Sequence, residues 1–305
     1  MKIFVEDNIL IKDKICSEYN FKSPYSATVV EKIKAAGMEI TENKNEADAV
    51  LCSETETSEK EKEKEKEKEE EEEEYMFHVR PTYGAVSRFG LVADVSSMDR
   101  IGVSAHEIDT AFYVLSVIAG HDKNDGTSYP TEKYNYSIDG IDLGNIKSIN
   151  SPEFKFKEYL KQVYLIISAA EFSGNIARFD GIKFGYRTEN FKNADDIIIN
   201  SRSESFPTET KIKCLMGTYV LSEEQFEKYY LKATKIRRLI KQELGEIFKQ
   251  YDLIILPPCD KAKALVDLTG CPAIIFDGKI IIAKEFDENK LFAYGNGKGV
   301  AENAK

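Results

Sequence analysis

The residues able to do chemistry are scattered. His78, His106 and His121 share no metal-ligand spacing, and His106 falls in the first turn of an expected helix, so they read as surface or capping histidines and no metal is expected. Cys16, Cys52, Cys214, Cys259 and Cys271 are odd in number, widely spaced and form no Cys-x-x-Cys pair, which reads as reduced thiols rather than a disulfide frame or zinc site. Ser96-Ser97 beside Asp99 invites a nucleophile reading. A serine needs an adjacent base, however, and the sequence fixes no His or Lys there, so Ser-Ser-x-Asp reads as a loop. Gly295-Asn-Gly-Lys-Gly299 looks superficially like a phosphate loop, but it lacks the Walker spacing and precedes no helical pattern. It reads as a frayed tail, and no cofactor is expected.

The elements that would position these residues alternate between strand and helix. Lys2 to Val5 predicts a strand, and Ser26 to Ala36 a helix carrying Val29, Val30 and Ile33 and ended by Gly37. Ala47 to Cys52 predicts a second strand. Ser104 and Glu107 suggest a capping box for a helix with Ile108, Ala111, Phe112, Leu115 and Ile118 on one face and Gly120 at its end. Ser151-Pro152-Glu153 suggests an N-cap for a helix over 154–172. Ser222 and Gln225 suggest another capping box, opening the longest helix as far as Phe248. Tyr251 to Leu256 predicts a buried strand stopped by Pro257 and Pro258, and 273–276 and 279–283 flank the hairpin dipeptide Asp277-Gly278. The order is that of an α/β protein, without internal repeats.

One stretch interrupts it. Residues 54–74 hold thirteen Glu and five Lys, a net charge of −8 against −11 for the 305-residue chain, so the remainder carries only −3. Such a run is either disordered or a solvated helix held by i,i+4 Glu–Lys pairs. It reads as a linker, with docking of a basic partner or mimicry of nucleic acid as alternatives. The mild charge elsewhere offers no basic stripe to grip phosphates, which argues against direct nucleic-acid binding. With 42% hydrophobic residues, no apolar run of membrane-spanning length and no leader pattern, the expected location is the cytoplasm.

The segment 80–125, from Arg80-Pro-Thr-Tyr-Gly through Ser96-Ser-Met-Asp99 to His121-Asp-Lys-Asn-Asp125, resembles the amidase signature family, and within it the A subunits of tRNA-dependent amidotransferases. Six further blocks keep the same order: Val5-Glu-Asp-Asn-Ile9, Pro24 to Lys32, Ala177-Arg-Phe-Asp-Gly181, Ser201-Arg-Ser-Glu204, Gly217-Thr-Tyr-Val-Leu221 and Tyr229-Tyr-Leu-Lys-Ala233. The resemblance implies a mixed β-sheet core flanked by helices, a single domain over 1–305 interrupted by 54–74, and a glutaminase that passes ammonia to a B subunit for amidation of mischarged tRNA.

It also implies a catalytic set: a nucleophilic Ser, a relay Ser and a neutral Lys base. The Lys position, before Asp7-Asn8, holds Glu6. The serines and the oxyanion amides belong to a Gly- and Ser-rich segment preceding Pro-Thr-Tyr-Gly, and this chain has no Gly between Gly37 and Gly84. The acidic run stands in that place, so part of the core is expected to be deleted. Where the resemblance calls for an Arg on the substrate carboxylate, the chain reads Ile212 and Lys213, leaving Lys213 as a weak candidate. The segment between Pro258 and Val266-Asp-Leu-Thr-Gly-Cys-Pro272, expected to carry an Asp for the substrate amine, is shortened.

Groups that act as a unit fail together, and an oxyanion hole alone contributes about 3–4 kcal/mol to the barrier. The expectation is therefore a degenerate, inactive A-subunit-like protein docking on B and C subunits. The alternative is a glutaminase using replacement residues, with Glu6 as base.

Overall fold

The computed structural model describes residues 1–16, 21–53, 76–130, 136 and 146–297. The acidic run 54–74 and the last residues of the glycine-rich tail lie outside the described residues.

Eleven short strands form among these residues. β1 (Lys2–Val5), β4 (Glu39–Thr41), β5 (Ala49–Cys52), β6 (Phe77–Arg80), β7 (Gly102–Ala105), β8 (Ser148–Asn150), β9 (Leu253–Leu256), β10 (Ala273–Phe276) and β11 (Lys279–Ala283) make one mixed sheet in the order β4-β1-β5-β7-β6-β10-β11-β9-β8. β2 (Ile15–Cys16) and β3 (Phe21–Lys22) pair separately. At one edge β1 runs parallel to β4 and β5, at the other β8 runs parallel to β9, and the pairings between are antiparallel.

Continuous apolar strands are what a sheet covered on both faces requires. In β11, Ile281 and Ala283 enter the core beneath α1 (Thr28–Ala35), α2 (Ile108–Ile118) and α9 (Glu288–Gly295), while Ile280 and Ile282 enter a second core. That second core is formed with α3 (Leu160–Ile176), α7 (Lys232–Ile247) and α8 (Asp260–Thr269). α4 (Ala194–Ser205), α5 (Thr208–Leu221) and α6 (Glu223–Phe226) are the remaining α-helices among the described residues. The hairpin is as its dipeptide predicts: Phe276 pairs with Lys279, and Asp277 and Gly278 both take positive φ, 48° and 62°.

Three predicted helix starts need correction. Ser104 lies inside β7, paired with Val50 and His78, and α2 instead begins after Glu107 without a side-chain cap. Ser151 takes φ 44° in a bend, and α3 starts at Leu160 after a 3-10 turn, Lys157–Tyr159. Ser222 does sit at an N-cap, but its hydroxyl donates back to the Tyr219 carbonyl at 2.8 Å and the capping box does not close. The long helix predicted beyond it is α6 joined to α7 through a π-helical turn, Glu227–Leu231.

Candidate functional site

Glu6 follows β1 directly. Its backbone N–H donates to the Leu51 carbonyl at 3.1 Å, continuing the β1–β5 ladder, while its Oε2 accepts the Ser53 N–H at 2.9 Å. The carboxylate is thereby fixed against the end of β5. Beside it lies a cavity of about 190 Å³ with apolar walls from Phe4, Ile9 and Leu10 and polar lining from Glu6, Asp7 and Glu42. Lys14 also lines it and pairs with Glu42 at 2.8 Å, which holds the Glu42 carboxyl below its ordinary range. An ionised carboxylate offers only acceptor sites. This site can receive a proton or bind a donor, but it holds no lysine in the place where the resemblance asks for one.

The second candidate, Lys213, stands on α5 with its ammonium 4.2 Å from the Phe172 ring centroid. Phe172 packs in one apolar cluster with Leu10 and Cys16, both of which line the Glu6 cavity. A single small cluster thus links the two positions picked from sequence, while the ammonium itself rests on an aromatic face.

The Ser-Ser-x-Asp segment is structural. Ser96 Oγ accepts from Asn175 Nδ2 at 2.9 Å. Ser97 Oγ accepts from Arg237 Nη1 at 2.5 Å, its carbonyl accepts from Arg237 Nη2, and its N–H donates to Glu171. These partners of the two hydroxyls are donors, and neither is a base that would take a hydroxyl proton. Asp99 accepts the N–H groups of Asp94 and Val95, and burial pushes its carboxyl up to about 7.

The histidines do not converge. His78 Nδ1 lies 2.8 Å from Ser104 Oγ on the neighbouring strand, and Ser104 Oγ lies 3.5 Å from Cys52 Sγ. His121 meets Ser128. Among the described residues no group of three or more His, Cys, Asp or Glu forms a metal-sized cluster. What the sequence did not reveal is a buried charged cluster: Asp267 Oδ1 pairs with Arg80 at 2.6 Å and Arg100 at 3.3 Å. Arg100 also donates to the carbonyls of Pro81, Val266 and Cys271. Its partners lie up to 171 positions away, so no spacing announces them. The cluster ties the Arg80-Pro-Thr-Tyr block to α8, in the stretch after Pro258. There Asp260, at the surface, pairs with Lys161 at 2.9 Å.

Residues 77–149 and 142–269 match the Amidase family model. The chain belongs to the amidase family. Its relatives include the glutamyl-tRNA(Gln) amidotransferase A subunit of Halothermothrix orenii, 37% identical over 305 positions covering 78% of this chain and 64% of that protein. The same-named protein of Clostridium botulinum strain Hall is 39% identical over 59% of this chain and 44% of its own length. The chain thus spans less than two thirds of either relative. The alignment with the Geobacillus thermodenitrificans protein of that name runs over 395 positions at 29% identity and covers 96% of this chain. Because the chain has only 305 residues, at least 90 of those positions face none of its own. Among solved structures, the glutamyl-tRNA(Gln) amidotransferase A subunit of Thermotoga maritima superposes with a TM-score of 0.65 at 21% identity, covering 96% of this chain and 81% of that one. Peptide amidase of Stenotrophomonas maltophilia gives 0.68 at 16% identity, over 97% and 82%. The mixed sheet flanked by helices is the amidase fold. Among the described residues no helix is long and apolar enough to cross a membrane.

Proposed function

We propose that this amidase family member is a non-catalytic, A-subunit-like protein of a tRNA-dependent amidotransferase. In this reading it works in the cytoplasm without metal or cofactor, does not touch nucleic acid itself, and docks on B and C subunits. Glu6 carries the reading. The lysine that the resemblance implies must be neutral before the reaction and cationic after it, and a carboxylate is anionic and then neutral. Its charge is one unit more negative at both stages, and one of its oxygens is already committed to the Ser53 N–H. The unmatched positions in the alignment with the Geobacillus protein support loss of an internal segment, and 54–74 stands where the serines would be. β5 and β6, on either side of that run, flank β7 in one sheet, which supports one domain interrupted by the run rather than two. Two experiments test the proposal. Ammonia release from glutamine is expected to stay at background for the chain alone and with B and C subunits present. Co-purification with those subunits is expected, and no association at micromolar concentration would sink the docking part.

A second reading has one observation in its favour: Glu6 lines a cavity and so has room for water and a small amide beside it. In that reading Glu6 is the base for water in an active glutaminase. Turnover by the natural chain that Glu6→Ala abolishes would establish it over the first.

A further inference from the structure

The folded chain holds a basic stripe that its overall charge conceals. From Lys228 to Gln242 there is no Asp or Glu, while six residues are Lys or Arg. Arg237 turns inward, donating to the Leu268 carbonyl and to Ser97, and Ala233, Ile240 and Leu244 are buried in the second core. The other cations face out: Lys228 in the π-helical turn and Lys232, Lys235, Arg238 and Lys241 on α7 are exposed. Steps of three and four set each beside the next, where like charges destabilise a helix. Lys241 is answered by Glu285 at 2.6 Å. Among the described residues Lys228, Lys232, Lys235 and Arg238 have no carboxylate within ion-pair distance, whereas surface lysines elsewhere, such as Lys161, Lys249 and Lys261, do.

A like-charged row that the fold leaves uncompensated attracts an anion, and its length says which kind. Four cations from Lys228 to Arg238 span about 15 Å of helix, too long for one carboxylate or phosphate and suited to a chain of negative charges. This protein carries such a chain in residues 54–74, net −8, whose last six positions, 69–74, are all Glu. The run is tethered nearby. It returns to the sheet at Phe77 of β6, which pairs with β10, and Ala273 of β10 packs in the same core as Ala233 and Ile240 of α7. Twenty-four residues join Cys52 to Phe77, so at about 3.3 Å each the middle of the connection can lie roughly 40 Å from either end. That is several strand spacings of about 4.8 Å. A short tether gives a millimolar effective concentration, which favours the run over an anion in free solution. We propose that residues 54–74 bind the exposed face of α7 in their own chain, taking the place that a nucleic-acid backbone would otherwise occupy. This inference is independent of whether the chain hydrolyses glutamine or docks on other subunits.

Zero-length carbodiimide coupling of Glu to Lys in the natural full chain tests the contact. At about 1 µM, far below that effective concentration, mass spectrometry is expected to find residues 54–74 joined to Lys232 or Lys235. When isotopically labelled and unlabelled chains are mixed, these links are expected within one label only. Links between labels would assign the contact to a second copy and overturn the proposal, as would a run joined only to lysines outside α7. RNA tests the consequence. Replacing 54–74 by a Gly/Ser linker of equal length is expected to raise affinity for a single-stranded oligouridylate roughly tenfold or more at about 50 mM salt, with most of the gain lost by about 200 mM. Adding Lys232→Glu, Lys235→Glu and Arg238→Glu is expected to abolish the gain, with circular dichroism unchanged. A linker variant that binds the RNA no better than the natural chain, or a gain that survives the three substitutions, would also overturn it.

Discussion

Glu6 Oε2 accepts the Ser53 N–H at 2.9 Å, so the residue proposed to stand in the base position anchors the end of the strand after which the acidic run begins. Its work in the fold is to hold Ser53, and this can be weighed. Glu6→Ala is expected to lower stability by about 1–2 kcal/mol, the scale for losing a hydrogen bond to a charged acceptor in a part-buried place. Urea unfolding of the two chains measures the difference. Glu6→Lys is expected to lose the same bond and to restore no ammonia release, because one lysine supplies neither nucleophile nor oxyanion donors.

Gly217 sets how closely α5 lies on α3. Since a Cβ there would collide with backbone, Gly217→Ala is expected to destabilise by about 2–3 kcal/mol, toward the upper end for overpacking, despite alanine's better helix propensity. A lower thermal midpoint checks this, and a raised one would show that the two helices separate without cost.

Asp267 stands between two buried guanidinium groups. Removing it by Asp267→Ala leaves Arg80 and Arg100 without that carboxylate in a region closed to water, and a loss of about 3–5 kcal/mol is expected. Asp267→Asn keeps the size and an acceptor while removing the charge, so it should fall between. Denaturant midpoints of the three proteins give the ranking.

Burial raises the Asp99 carboxyl from its ordinary 3.8 to about 7. Over that interval the folded chain binds more protons at this residue than the unfolded chain. The stability it contributes is therefore complete below the unfolded value and is lost as pH rises toward 7. Asp99→Asn is expected to remove this falling component. The unfolding free energy of wild type minus that of the variant, followed across that pH range, should fall toward the alkaline end. A wild-type-minus-variant value that rises there would contradict the assignment.

Much of the scaffold was legible because it rests on local chemistry. Val29, Val30 and Ile33 at helical spacing, the apolar run into Leu256, and Asp277-Gly278 each state their element within a few residues, and each forms. The failures came where a short pattern had a competing long-range partner. Ser104 satisfies a capping-box spacing, yet Val50 and His78 recruit it into the sheet from 54 and 26 positions away, and a strand's ladder outweighs one side-chain cap. At the candidate site, the identity of Glu6 was readable, but its hydrogen bond to Ser53 was not, because 47 positions separate them. Ile212, Leu215, Met216 and Tyr219 on α5 show the limit most plainly. Their periodicity would ordinarily announce burial, and only the folded chain reveals that Gly217 and Val220 take the buried side instead.

The strand order also bears on how this chain can change over time. β5 and β6 both run antiparallel to β7 and hence parallel to each other, and the chain between Cys52 and Phe77 makes the crossover. A parallel crossover needs about a dozen residues. Twenty-four are available here, roughly twice that requirement, so the reach between the two strand ends does not fix the number of Glu–Lys repeats. Slippage that adds or drops a few repeats would still leave the connection long enough to join the two strands.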